Sequence, residues 1–281
     1  IMTSVKIITD SSCDLPQNII DDLGIGIVPL KIRFGSEEFV DRFELSTDSF
    51  WERCKTSNEL PSTAAPSPGA FEEMYRQAAS DGRSGVVTVV LSGSLSATIE
   101  AAEAAARAVV DLIDVTVIDS RTVTLGLGSL VVQAAEASLQ GQTVLEISTM
   151  VSEAAKKTQV HAALDTLENL RKNGRIGAAQ SFLGSVLSIK PLIEVRNGVV
   201  EPAGKQRTRS KALAHLINLI AENASHIERI SIMHAACEDI DAFASQVQSL
   251  VTPKVMIGQI GPVVGAHAGL GTIGVVFQTN N

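Results

Sequence analysis

Two hydroxyl-bearing loops and one late histidine carry the chemistry that this sequence offers. The first loop, Glu59-Leu-Pro-Ser-Thr-Ala-Ala-Pro-Ser-Pro-Gly69, holds Ser62 and Thr63 in a stretch stiffened by Pro61, Pro66 and Pro68. Each proline fixes φ near about −65°, so the loop is held rather than floppy. The second, Leu91-Ser-Gly-Ser-Leu-Ser-Ala-Thr98, follows an apolar β-branched run and opens an alanine-rich helix. Ser96 and Ala97 fall at that helix start, where N–H groups lack helical partners and an anion is welcome. His267 lies in Gly265-Ala-His-Ala-Gly-Leu-Gly-Thr272, read as a glycine-flanked loop between two strands. Short hydroxyl donors and an imidazole suit the capture of one anionic group. Each also has a plain structural reading: the proline loop as a connector, Ser96 as a helix cap, His267 as a hydrogen-bonder.

Three further polar clusters have two readings each. Asp10-Ser-Ser-Cys-Asp14 follows the first strand, so Asp10, Ser11 and Ser12 stand where open α/β sheets bind ligands. The same residues serve equally as caps, with Asp14 the natural N-cap of the next helix and Pro16 in its first turn. Arg175, in Lys172-Asn-Gly-Arg-Ile-Gly177, begins a helical stretch, where positive charge is mildly unfavourable and needs a reason. Lys205-Gln-Arg-Thr-Arg209 places Arg207 and Arg209 in a small basic cluster, either a solvated edge or a patch for an anionic partner.

The elements that must position these residues alternate in type. Strands are expected at Val5–Thr9, Ile25–Phe34, Glu38–Val40, Val86–Leu91 and Asp114–Ile118. Helices are expected at Ser46–Lys55, Pro68–Ser80, Ile99–Val109, Leu125–Leu139 and Val144–Lys157. Phe50, Trp51 and Cys54 share one helical face and read as core. Alternating β and α units imply a parallel sheet with helices on both faces. Beyond Gln142 the pattern changes. Strands at His161–Leu164, Ile189–Val195, Val199–Gly204, Arg229–Met233, Lys254–Ile260 and Ile273–Gln278 mix with helices at Leu167–Lys172, Ala178–Leu187, Ser210–Glu222 and Ile240–Leu250. Asn197-Gly198 is a hairpin signal. The expectation is an α/β domain over 1–157 and an α+β domain over 158–281.

Composition removes several function classes. The chain has 281 residues, 45% of them hydrophobic but only 4% aromatic, so its core is aliphatic. A net charge of −8 repels nucleic acid and anionic membrane. No apolar run approaches the roughly 18 residues of a spanning helix, and no signal peptide is read at the N-terminus. Cys13, Cys54 and Cys237 form no metal spacing and point to a reducing cytoplasm. Gly269-Leu-Gly-Thr-Ile-Gly274 has the G-x-G-x-x-G form, but a terminal strand follows it where a dinucleotide site needs a helix. There is no G-x-x-x-x-G-K-[ST], no H-E-x-x-H and no G-x-S-x-G elbow, so no cofactor or metal is expected.

The chain resembles the DegV family of fatty-acid-binding proteins from end to end. The resemblance rests on Thr9-Asp-Ser-Ser-Cys-Asp-Leu15, Val28-Pro-Leu30, Pro61-Ser-Thr63 through Gly69, and Leu91-Ser through Leu95-Ser-Ala-Thr98. It continues in Leu167-Glu-Asn-Leu-Arg-Lys-Asn-Gly-Arg-Ile176, in Gly204 through Arg209, and in His267 through Gly274. It implies two domains with a lipid between them, and Thr63, Ser96 and His267 as ligands of the fatty acid carboxylate. Asp10, Ser11, Ser12, Ser62 and Ala97 are candidate pocket-lining residues beside them. Arg175, Arg207 and Arg209 match positions linked to a kinase partner and an acyl-phosphate step. The chain then has no catalytic activity of its own: it presents lipid to the catalytic subunit of a fatty acid kinase, with acyl-transfer enzymes as further partners. The family's Thr-Ser-Gln is Thr63-Ala64-Ala65 here, and Gly93, Ala97 and Leu270 also depart from its pattern. Those departures bear on donor orientation and chain-length preference.

Burying about fourteen methylenes of a palmitate-like C14–C18 acid at ~0.8 kcal/mol each gives roughly 11 kcal/mol gross. The carboxylate opposes this unless charge-assisted hydrogen bonds meet it, with a protonated His267 adding charge. Two other classes compete: an acyl hydrolase using Ser96 and His267, and a kinase subunit for a small polar substrate such as a triose.

Overall fold

The computed structural model describes residues 4–184 and 189–280. The chain opens with β1 (Lys6–Asp10), a 3-10 turn over Ser11–Cys13, α1 (Gln17–Asp22) and β2 (Gly26–Val28). β3 (Lys31–Phe34), β4 (Glu37–Val40), α2 (Thr47–Thr56) and β5 (Ser62–Ala64) follow. Next come α3 (Pro68–Ser80), β6 (Val86–Val90), α4 (Thr98–Ala108), β7 (Val115–Asp119), α5 (Leu125–Leu139) and α6 (Val144–Lys157). β8 (Thr158–Ala163), α7 (Glu168–Lys172), β9 (Lys190–Arg196), β10 (Val199–Gln206) and α8 (Arg209–Asn223) lead into β11 (Ile227–His234). The chain closes with α9 (Ile240–Leu250), β12 (Met256–Gln259), α10 (Pro262–Ala268) and β13 (Ile273–Thr279).

Three sheets result. β2-β1-β6-β7 are all parallel, and the strand order reverses between β1 and β6. β10-β9-β8-β13-β11-β12 form a mixed sheet, antiparallel except where β11 meets β12. β4-β3-β5 form a small antiparallel sheet. The fold is therefore mixed α/β, with one parallel-sheet domain and one mixed-sheet domain.

Helix α5 stands between the two large sheets. Its first half, residues 125–131, is almost wholly apolar and buried on every side, as a helix segment of that kind must be. Gly126 and Gly128 permit the close approach: a Cβ on the first would come within 2.8 Å of Val160 Cγ2, and on the second within 2.6 Å of the Cys13 carbonyl oxygen. The core around it is shared by both halves of the chain, joining Phe50, Trp51 and Leu130 to Met233, Ile260 and Val263. A second core holds α8 and α9 on the mixed sheet, and a third holds α3 and α4 on the outer face of the parallel sheet.

Several expected elements take another form, each for a physical reason. Ile25–Phe34 is two strands in two sheets, because Pro29 has no N–H to continue a ladder and the chain turns there. Asp14 does not cap α1: it sits in the left-handed region at φ 51°, ending the 3-10 turn. Its carboxylate instead accepts from Thr124 Oγ1 at 2.7 Å and Gly261 N–H at 3.0 Å, bridging the halves of the chain. The proline loop contains a strand, β5, which pairs Thr63 with Ile32 of β3. His267 lies on helix α10 rather than in a loop. The helical stretch after Arg175 is 3-10, over Gly177–Phe182, and the rest of it, 185–187, lies outside the described residues.

Candidate functional site

A cavity of about 220 Å³ lies between the parallel and mixed sheets. Leu30, Leu91, Leu95 and Val123 wall it on one side, and Ile193, Val195 and Val200 on the other. Leu170, Val263 and Val264 contribute from α7 and α10. Its polar wall, among the described residues, is Thr63, Ser96, Arg175 and His267. Four distant parts of the chain thus converge on one aliphatic chamber.

Each polar group arrives by a local rule. Thr63 is the middle residue of β5, and alternation along a strand sends Ser62 to the opposite face. Ser96 ends the turn after β6, where its Oγ accepts the Thr98 N–H at 3.3 Å and pairs with Thr98 Oγ1 at 2.8 Å. His267 rides on the last turn of α10, a helix started by Pro262. Arg175 leaves α7 through a left-handed Gly174 at φ 70°. There Gly174 N–H bonds the Arg171 carbonyl and Arg175 N–H the Leu170 carbonyl, the hydrogen-bond pattern of a Schellman stop.

Thr63 Oγ1 and His267 Nε2 lie 2.9 Å apart although 204 residues separate them in sequence. Burial pushes the His267 imidazole down to about 4, with the nearby Arg175 guanidinium adding to the shift. The ring is therefore neutral at pH 7, which corrects the expectation of a protonated imidazole: desolvation of a cation wins here. His267 Nδ1 is buried without a partner among the described residues. An unpaired lone pair there costs less than an unpaired N–H, so we assign the proton to Nε2, donated to Thr63 Oγ1. The Thr63 hydroxyl proton is then free to point at a ligand oxygen. Positive charge near the ring comes from Arg175.

The Ser–His pair of a hydrolase is not assembled. His267 bonds Thr63, and Ser96 bonds Thr98. No acid orients His267 Nδ1 among the described residues.

Ala97 lines the cavity, whereas Asp10, Ser11, Ser12 and Ser62 do not. Asp10 is fully buried at the strand-order reversal, and its carboxylate accepts the N–H groups of Ser12 at 2.9 Å and Leu91 at 2.8 Å. Burial pushes its carboxyl upward, and those hydrogen bonds oppose the shift. Ser11 Oγ accepts the Leu30 N–H, fixing the start of β3. These bonds tie the residues to the backbone at the place where open sheets elsewhere bind ligands. Arg207 is exposed and outside the cavity. Arg209 is engaged elsewhere, holding Asp239 through Nε at 2.7 Å and Nη2 at 2.8 Å and donating Nη1 to the Gly271 carbonyl. It steadies the α10–β13 turn, a role that its place in a basic cluster did not suggest. No group of acidic, histidine or cysteine side chains among the described residues is arranged to hold a metal ion. No helix there is long and apolar enough to cross a membrane.

Comparison with known proteins places this architecture in a family. Residues 4–280 match the DegV family model, and the chain belongs to that family. It is 37% identical over 279 residues to a DegV domain-containing protein of Streptomyces coelicolor, covering 98% of each chain. A solved structure described as fatty acid binding of a DegV family protein from Thermus thermophilus superposes with a TM-score of 0.90 at 31% identity, covering 98% of this chain and 99% of that one. The crystal structure of DegV from Bacillus subtilis, described as a fatty acid binding protein, gives 0.88 at 30% identity, covering 99% and 100%.

Proposed function

We propose that this chain binds a long-chain fatty acid in the cavity, with Thr63, Ser96 and Arg175 meeting the carboxylate and His267 orienting Thr63. The observation that carries the reading is the make-up of the wall: aliphatic but for Thr63, Ser96, Arg175 and His267, of which Thr63 and His267 are in contact and Arg175 lies near His267. An alkyl tail gains roughly 0.8 kcal/mol per buried methylene, and only a ligand with a single polar head matches such a lining. A triose would leave most of this wall unmatched. Two DegV family proteins of known structure are described as fatty acid binders, which supports the same ligand class here.

The head is also reachable. A surface cleft of about 350 Å³, lined by Gly93, Ser94, Gly174 and Gly177, shares Leu95, Ser96, Ala97, Arg175 and Val200 with the cavity. A separate ATP-dependent kinase subunit has a route through it to phosphorylate the carboxylate, the acyl group then passing to acyl-transfer enzymes. The absence of a phosphate-binding glycine loop from the sequence favours leaving the nucleotide to that partner. Three free cysteines fit a cytoplasmic setting.

Denaturing extraction and mass spectrometry of purified protein test the ligand class, with a C14–C18 acid the expected product. In the double variant Thr63→Ala, Ser96→Ala, affinity for palmitate should fall about a hundredfold or more, because two hydrogen bonds to a charged group are lost. Its urea midpoint should stay close to the parent's. Unchanged lipid retention, or turnover of a chromogenic ester by the parent, would sink the reading.

A further inference from the structure

Thr63 and Ser96, the proposed hydroxyl ligands of the carboxylate, and His267, which orients Thr63, sit on separate elements, β5, the turn after β6, and α10, so something must hold them in one constellation. One short segment touches all three supports. Asn173 Nδ2 donates to the Pro61 carbonyl at 3.1 Å, two residues before Thr63. The same nitrogen lies 3.2 Å from the Ala266 carbonyl, the residue before His267. Asn169 Nδ2 reaches that carbonyl too, at 3.1 Å. Arg175 Nε donates to the Leu95 carbonyl at 3.1 Å, the residue before Ser96. Arg175 Nη1 returns to the Asn173 carbonyl at 2.7 Å, and Asn173 Nδ2 to the Asn169 carbonyl at 3.1 Å, so the clamp is braced against itself.

The local fold explains why these residue types are needed. The Schellman stop at Gly174 sends Asn173 and Arg175 out of the end of α7 in fixed directions. The acceptors are backbone carbonyls, so the clamp must be built from donors. A carboxamide N–H₂ offers two hydrogens on a short stem, which Asn173 shares among the carbonyls of Pro61, Asn169 and Ala266, and a guanidinium offers five in a rigid fork. An aspartate at 173 would set a negative charge against carbonyl oxygens.

We infer that Asn173, with Asn169 and Arg175, is a positioning group that sets the spacing of Thr63, Ser96 and His267 and so the affinity for the ligand's carboxylate. This rests on the fatty acid reading for its ligand, and on geometry alone for its effect on the Thr63–His267 pair. Holding ligand groups within a few tenths of an ångström matters because donors misplaced by about 1 Å lose most of their benefit.

The test uses the full chain, freed of lipid, carrying Asn173→Ala or the near-isosteric Asn173→Asp. Affinities for palmitate and for hexadecanol, which has the tail without the charge, are compared. Palmitate should weaken about tenfold or more while hexadecanol changes by less than about twofold. Equal weakening of both would show a merely structural role and overturn the inference, as would unchanged palmitate affinity. A second readout needs no ligand: nitrogen NMR of the His267 ring across pH. Loosening of the clamp should let water reach the buried ring and so move its titration up from about 4 toward the ordinary histidine range. A His267 titration identical in parent and variant would overturn the clamp even if lipid binding holds. A parent that binds no fatty acid, together with an NMR shift in the variant, would remove the ligand reading and leave the clamp standing.

Discussion

Two seams join the halves of the molecule across the cavity, and they are built differently. At the α10 seam, Gly265 lies flat against Phe50 and Trp51, Trp51 Nε1 donates to the Ile260 carbonyl at 2.9 Å, and Gly261 N–H bonds the buried Asp14. At the hairpin seam, Ser92 Oγ donates to the Gly198 carbonyl at 2.7 Å and Arg121 Nη2 to the Asn197 carbonyl at 3.1 Å, with Leu95 the apolar contact. Two net hydrogen bonds are worth about 1 kcal/mol each, whereas exposing two buried aromatic side chains costs roughly 1.5–3 kcal/mol apiece before cavity effects. The seam that carries His267 is the heavier one. The seam whose strands supply Val195 and Val200 to the tail wall is the lighter one.

The largest expected effect breaks the heavy seam. A Cβ on Gly265 would stand 2.7 Å from Phe50 Cε1 and from Trp51 Cη2 and Cζ2. Those rings are almost fully buried and packed edge to face at 4.7 Å, so neither can swing aside. Alanine would gain about 1 kcal/mol of helix propensity, less than the 1–3 kcal/mol that overpacking usually costs. Gly265→Val adds further bulk and should lose about 3 kcal/mol or more, read as a lower urea midpoint. An unchanged midpoint would mean that α10 is not held as described.

A smaller effect sharpens the same seam through pH. His267 and His161 are both pushed down to about 4 by burial. Between that value and about 6.5 the unfolded chain takes protons that the folded chain refuses, so stability falls as pH falls through this window. Asp14, pushed up to about 7, and Asp41, pushed up to about 6, act with the opposite sign. The folded chain keeps protons that the unfolded chain releases above about 3.9, so their contribution declines as pH rises toward 7. His267→Gln removes one member of the first pair. In lipid-free protein its stability relative to the parent should improve by about 2 kcal/mol on going from pH 7.5 to 4.5. A constant difference across that range would sink the neutral assignment of His267.

How much of this was legible in the sequence varies by residue. Pro68–Ser80, Leu125–Leu139, Val144–Lys157 and Ile240–Leu250 have the helix limits that caps and apolar periodicity indicate. β5 was hidden because a three-residue strand inside a proline loop has no period to read. α10 was hidden because Pro262-Val-Val-Gly-Ala-His-Ala268 mixes β-branched residues with glycine and is only seven residues long. Asn173 was missed because its partners are carbonyls 112 and 93 residues away, and no local pattern points to them. Its one signal was Asn-Gly-Arg after a helix, a stop motif that fixes side-chain direction. Asp10 and Arg209 show the converse: residue types suited to a ligand, spent on backbone carbonyls, amides and an ion pair.

The smallest stability effect bears on the lighter seam. Ser92→Ala deletes the bond to the Gly198 carbonyl, and with it the acceptor of the Ser94 N–H, but leaves the 197–198 turn itself intact, since Asn197 and Gly198 hold left-handed φ values of 53° and 84° without help from Ser92. Global stability should fall by about 1 kcal/mol or less. If the halves part at the hairpin, the same bond must break each time lipid leaves, so its loss should speed fatty acid dissociation by up to about fivefold while equilibrium contacts to the head group persist. Stopped-flow transfer of a fluorescent fatty acid to an acceptor protein measures this directly. A dissociation rate equal to the parent's, alongside the lower midpoint, would show that Ser92 only supports the fold and that the tail leaves by another path.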